Sequence, residues 1–95
     1  MVTTPIAHAI NIGPILSREL RQVGITTLEE LRAIGYLEAW RRVHAVNPDR
    51  DCGNSCLALA GAIAEMRWMK LPSEMRTQIV LEARAERDRI AKTPD

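Results

Sequence analysis

The sequence predicts an all-α protein, a compact orthogonal bundle of five helices in a single domain of 95 residues. Three observations carry this. Helix punctuation is dense: Pro14, Thr27 and Pro72 are placed to open helices, and Gly24, Gly35 and Asn47-Pro48-Asp49 are placed to end them. Val, Ile and Thr never alternate with polar residues over a length that would make a half-buried strand. Aromatic residues are 3% of the chain, namely Tyr36, Trp40 and Trp68 with no Phe, so the core falls to Leu, Ile, Val, Ala and Met, the aliphatic mixture of packed helices.

The first helix opens at Pro14, where the missing N–H is one that a first turn leaves unpaired anyway. Ile15, Leu16, Leu20 and Val23 form an apolar stripe at helical spacing. Gly24 ends it, because glycine enters the left-handed conformation most cheaply, and Ile25 follows where a C-terminal cap makes its hydrophobic contact. Thr27-Leu-Glu-Glu30 is a capping-box pattern that opens a short second helix, with Leu28, Leu31 and Ile34 inward and Gly35 closing it. A third helix runs from Tyr36 to Val46, with Leu37, Trp40, Val43 and His44 on one face. Asn54 or Ser55 caps the fourth. Residues 57–64 are apolar almost all round, so this helix is central, and its small residues, Gly61 among them, let neighbours approach closely.

Pro72 opens the fifth helix, with Met75, Ile79 and Ala83 on one face and Val80 and Leu81 beside it. Residues 84–95 read as a charged helical tail that projects or frays, with Arg84–Asp88, Asp88–Lys92 and Glu86–Arg89 pairing along its surface. Residues 1–9 read as an N-terminal arm. Gly24, Gly35, Trp40, Gly61 and Trp68 are the structural anchors, each indole lying in the core with an edge near water. Ile12-Gly13 and Ile34-Gly35 each precede a helix, but so few positions agree that chance reuse of glycine at helix ends is the simpler account.

Composition narrows the activity. Thirteen basic and 12 acidic side chains give a net charge of +1, no electrostatic footprint for tight sequence-independent nucleic-acid binding. Cys52 and Cys56 make no disulfide framework, and with His8 and His44 they match no zinc spacing; Cys56 reads as a core residue and Cys52 as a half-buried loop residue. Neither cysteine has an evident base, Glu29-Glu30 and Asp49/Asp51 sit where acids serve caps and turns, and no phosphate-binding or dinucleotide glycine motif is present. The expectation is a protein without catalytic residues, metal or cofactor. The N-terminus lacks the pattern of a signal peptide, and the longest apolar run, residues 56–64, is too short to span a bilayer, which predicts a cytoplasmic protein with no membrane partner.

Asn11-Ile12-Gly13-Pro14, followed by Leu20, Gly24-Ile25 and Leu31, resembles the second half of a helix-hairpin-helix DNA-binding motif. Such a turn exposes successive backbone N–H groups at a helix N-terminus, where they and the helix dipole hold a phosphate without reading sequence. Gly13 lets a phosphate approach, Asn11 stands where the motif usually has Gly, tolerating positive φ but carrying a side chain that crowds the anion site, and Arg18 and Arg21 flank the site with Glu19 diluting their field. The competing reading is a plain turn anchored by Ile12. Arg41, Arg42 and Arg50 form a second candidate basic patch, whereas the Arg84/Arg87/Arg89 group reads as a solvated helix face.

The sequence resembles the C-terminal domain of the TfoX/Sxy family of bacterial competence regulators. The resemblance rests on Asn11-Ile12-Gly13, Leu20, Gly24-Ile25, Thr27, Leu31, Gly35, Ala39-Trp40, Cys52, Asn54, Ala58-Leu59, Gly61-Ala62-Ile63, Trp68 and Leu71-Pro72, and spans residues 11–72. It implies a helix-hairpin-helix or SAM-like arrangement and a link to competence genes through a transcription factor of the cyclic-AMP receptor class. The family's regulators carry a further N-terminal domain, and ten residues precede the motif here, which implies a standalone copy. A module that docks a protein partner is therefore the first expectation and weak DNA binding through the turn the second; so small a core would also suit a homodimer.

Overall fold

Helix ends set the architecture of this computed structural model, which describes residues 3–92. Its five α-helices are α1 (Pro14–Gln22), α2 (Leu28–Ile34), α3 (Tyr36–Val46), α4 (Gly53–Ile63) and α5 (Ser73–Lys92), with 3-10 turns at Ile6–His8 and Trp68–Lys70. Among the described residues there is no strand, only one antiparallel bridge between Pro5 and Thr27. The all-α prediction and its helix count hold.

Each predicted stop in the first half works by the mechanism its residue type suggests. Gly24 has φ +86°, Ile25 N–H donates to Leu20 C=O at 2.9 Å, and Gly24 N–H to Arg21 C=O at 3.1 Å, the paired bonds of a Schellman cap. Thr27 caps α2 as predicted, with Glu30 N–H donating to Thr27 Oγ1 at 3.1 Å, but the Glu30 carboxylate reaches one residue further back than a capping box requires, its Oε1 accepting from the Thr26 amide at 3.0 Å. Gly35, at φ +83°, ends α2 and opens α3 with no connecting loop. Gly13 has φ −83°, so the two Gly-preceded helices start from different backbone turns and the sequence echo is not a structural repeat.

The aliphatic core forms around α4, which packs against α5, α3 and α2 and buries Cys56, Leu59 and Ala62 completely. Trp40 is fully buried and its indole N–H donates to Asp51 C=O at 3.1 Å, so no edge of it meets water. Trp68 is half-buried against the same core. The radius of gyration, 12.8 Å, matches the ~13 Å of a globule of ~100 residues.

Six expectations are corrected. The N-terminal segment is no loose arm: Ile6 and Ala9 are buried, Ile6 N–H donates to Thr26 C=O at 2.9 Å, and Leu28 N–H donates to Thr4 C=O at 2.8 Å. The N-cap of α4 is neither Asn54 nor Ser55 but Cys52, which is buried rather than half-buried, and Asp51 just before it supplies the side-chain acceptor, its Oδ2 taking the Asn54 amide at 2.5 Å. The tail does not fray: α5 continues to Lys92 because Ile90 packs on the core and Arg41 Nε reaches Glu86 Oε1 at 3.2 Å. Of its predicted surface pairs, Glu86–Arg89 forms, while Asp88 takes Arg87 instead of Arg84 or Lys92. Ile15 and Met75 stand outside the core at 62% and 48% exposure, and Met66 and Met69 are exposed too, so the described methionines face solvent. Residues 1–2 of the expected arm and 93–95 of the expected tail lie outside the described residues.

Candidate functional site

The turn that opens α1 carries the residues singled out for phosphate binding. Asn11 takes φ +71°, Ile12 is anchored in the core, and Gly13 is extended and exposed. The Asn11 side chain turns away from the start of α1. Its Nδ2 donates to Met66 C=O at 2.9 Å and to Ala58 C=O at 3.5 Å, and its Oδ1 accepts from the Trp68 amide at 3.3 Å. This clasp explains Gly61: a Cβ there would collide with Asn11 Nδ2 and lie 2.9 Å from Met66 O and 3.1 Å from Trp68 Cα.

Turning Asn11 away leaves backbone donors in front of α1. Ser17 N–H is the first to bond back, to Gly13 C=O at 2.9 Å; the Gly13, Ile15 and Leu16 amides make no backbone hydrogen bond. They border a groove of about 370 Å³ between this turn and the first half of α4, walled by Asn11 itself with Gly13, Arg50, Asp51, Asn54 and Ala58. The element ahead of the turn is the single 3-10 turn Ile6–His8, not a full helix. Arg18 and Arg21 are exposed on α1 and pair with no carboxylate among the described residues.

Glu19 does not dilute their field from solvent; it is 7% exposed and turned inward. Arg50 donates to its Oε1 from Nε at 2.8 Å and from Nη2 at 2.6 Å, and Asn47 Nδ2 donates to its Oε2 at 2.5 Å. The sequence held a signal for this, since Glu19 is three residues after Leu16 and four before Val23, on the apolar stripe itself. Arg50 thus belongs to the α1 groove. Arg41 and Arg42 belong to α3, where they hold Glu38 at 2.5 and 2.9 Å. All three arginines of the expected second patch are ion-paired, and Arg50, held by Glu19, does not join Arg41 and Arg42, which share Glu38.

A different feature went unread in the sequence. Tyr36, Ala60, Ile63, Ala64, Met75 and Ile79 line an apolar groove of about 590 Å³ between the end of α4 and the start of α5, with Glu74 and Gln78 as its polar rim. Behind it the Tyr36 hydroxyl donates to Glu82, and Gln78 Nε2 donates to Glu82 at 3.0 Å. Those bonds, Tyr36 first, hold the Glu82 carboxyl below the usual range, while burial and then Glu82 push the Tyr36 hydroxyl up.

Over residues 3–83 the sequence matches the family described as the TfoX C-terminal domain. The chain belongs to that family. The match reaches beyond the residues 11–72 that carry the sequence resemblance, taking in the N-terminal 3-10 turn and α5 as far as Ala83. Two crystal structures from Listeria monocytogenes resemble this TfoX C-terminal domain. One, of an uncharacterized protein, is 26% identical with a TM-score of 0.81, covering 87% of this chain and 93% of that one. The other, of a protein of unknown function, is 29% identical with a TM-score of 0.75, covering 80% of this chain and 92% of that one. No curated protein matches.

Both cysteines of this TfoX C-terminal domain are free thiols and buried. Burial pushes the Cys56 thiol up to about 12, the behaviour of an inert core thiol. His44 stacks on Trp40 with ring centroids 4.7 Å apart, and His8 is exposed. Among the described residues no three His, Cys, Asp or Glu side chains converge to hold a metal ion, and no helix is long and apolar enough to cross a membrane.

Proposed function

We propose that this TfoX C-terminal domain is a non-enzymatic, cytoplasmic protein-docking module in transcriptional control of competence and DNA uptake. The observation that carries the docking reading is the apolar groove with Met75 on its wall, 48% exposed. Apolar clefts with few polar groups are where ligands and partner side chains bury most surface, and flexible, polarizable methionine suits an adaptable binding surface. Membership of the TfoX C-terminal domain family supports the regulatory context, and the resemblance to competence regulators implies a transcription factor as the partner. The test is affinity capture from the source organism with wild type and Met75→Glu. A specific protein recovered by wild type and lost with the variant supports docking through the groove; recovery of no specific protein sinks the reading.

A second reading has its own observation: the Gly13, Ile15 and Leu16 amides lie without backbone partners at the N-terminus of α1. They can hold a DNA phosphate, with Arg18 and Arg21 beside them. Duplex DNA binding measured over a salt series tests it. A shallow slope, fitting few phosphate contacts, and loss of binding in Gly13→Leu are the outcomes this reading requires; absence of binding at low salt eliminates it.

A further inference from the structure

The outer face of α5 departs from the solvated, internally paired surface that its charge pattern predicts. Two adjoining hollows of about 380 and 240 Å³ meet there at Val80 and Arg84. Val80 and the 55% exposed Leu81 give the larger one an apolar floor, with Ser73, Arg76 and Thr77 toward the start of α5 and Arg84 at its far end. The smaller continues past Arg84 to Arg87 and the start of α4. Arg76 and Arg84 pair with no carboxylate among the described residues. Arg76 spends its Nε on Leu71 C=O at 3.1 Å. Arg87 reaches Cys52 Sγ at 3.7 Å and Asp88 at 3.3 Å, an exposed pair of little worth.

We propose that this face docks an acidic amphipathic segment of a partner protein. One apolar side chain sits on Val80 and Leu81, and carboxylates on either side are forked by Arg76 and Arg84. Those arginines are eight residues apart on one helix, about 12 Å at 1.5 Å per residue, a span that carboxylates two helical turns apart on a facing helix also cover. Guanidinium groups without carboxylates at a partly apolar rim are matched by the planar, bidentate carboxylate. A nucleic-acid strand fits less well. Asp51 lies in the wall of the smaller hollow, Glu82, Glu86 and Asp88 interrupt the basic residues of α5, and the net charge is only +1. This surface is separate from the Met75 groove and does not depend on it.

The experiment titrates the full chain with a fluorescent Leu/Glu amphipathic peptide, its Leu/Lys counterpart and a single-stranded DNA oligonucleotide, with backbone amide shifts followed in parallel. The expected result is saturable binding of the Leu/Glu peptide alone, shifts centred on residues 73–87, and affinity weakened by roughly tenfold or more in Arg84→Glu. Arg84→Lys keeps part of the affinity, and Met75→Glu, which strikes the other groove, leaves it unchanged, so the two surfaces fail or succeed separately. The Arg84 side chain has no hydrogen-bond or ion-pair partner among the described residues, and an unchanged helical spectrum certifies each variant. Equal binding of the Leu/Lys peptide, tighter binding of DNA, shifts elsewhere, no binding, or an unaffected Arg84→Glu each overturns the proposal.

Discussion

Gly61→Ala tests the clasp at its tightest point. In an ordinary helix interior this replacement stabilises by about 1 kcal/mol, because alanine has less backbone entropy to lose. Here the added methyl would meet Asn11 Nδ2 and stand 2.9 Å from the Met66 carbonyl oxygen and 3.1 Å from Trp68 Cα, two backbone atoms that cannot swing aside as a side chain can. Overpacking of this kind costs about 1–3 kcal/mol. Expelling the Asn11 amide also breaks its bonds to Met66 and Trp68, about 1 kcal/mol each. The net expectation is a loss of roughly 2–4 kcal/mol, which for a domain of this size lowers Tm by about 10–25 °C. Urea and thermal unfolding followed by far-UV circular dichroism measure it. Asn11→Gly keeps the positive φ without a side chain, so Asn11→Gly/Gly61→Ala should lose at least ~1 kcal/mol less than the two single variants together. A Gly61→Ala protein as stable as wild type, or strict additivity in the double variant, refutes the clasp.

Glu65 closes α4 with φ +57°, although glycine is the usual residue there, and its partner Arg32 at 2.6 Å is a surface pair. Glu65→Gly should therefore be more stable than Glu65→Ala by about 1 kcal/mol, read as a difference in urea midpoints. Acid should unfold the domain through its paired glutamates. Bonds from the Thr4 amide hold the Glu29 carboxyl low, bonds from Thr26 do so for Glu30, the Tyr36 hydroxyl for Glu82, and Arg89 for Glu86. Folded values below the ordinary 4.5 mean that the unfolded chain binds protons first as pH falls. The urea midpoint should hold steady down to about that value and decline below it as the folded carboxyls titrate; a midpoint that rises on acidification contradicts the assignment.

Features legible in the sequence are those whose cause is local. Gly24, Gly35 and the Thr27–Glu30 cap work within one helical turn, so residue type and spacing suffice to locate them. What was not legible depends on partners far along the chain. Asn11 looks like a turn residue whose side chain crowds an anion site; the Met66 and Trp68 backbone groups that draw it away arrive only with the fold. The tail looks frayed until Arg41 and the core surface under Ile90 are in place to hold it. The N-terminal segment holds a single 3-10 turn, too short to show a periodicity, and the bonds that dock it run to Thr26 and Leu28, far along the chain. At the candidate sites, the sequence identified Gly13 as the exposed turn but not the apolar groove, whose wall residues come from three helices and whose Met75 has the spacing of a core residue.

The Asn11 clasp also bears on how the chain reaches its folded state. Its hydrogen bonds to Met66 and Trp68 join positions 55 and 57 residues apart, whereas the helix caps close over a few residues. A contact of that span bears a large loop-closure entropy and forms only after the intervening helices have ordered that loop. Its energy is then largely missing from the folding transition state, so weakening it speeds unfolding while leaving the folding rate nearly unchanged. A clasp of one side chain thereby governs how long the folded domain lasts more than how fast it is made.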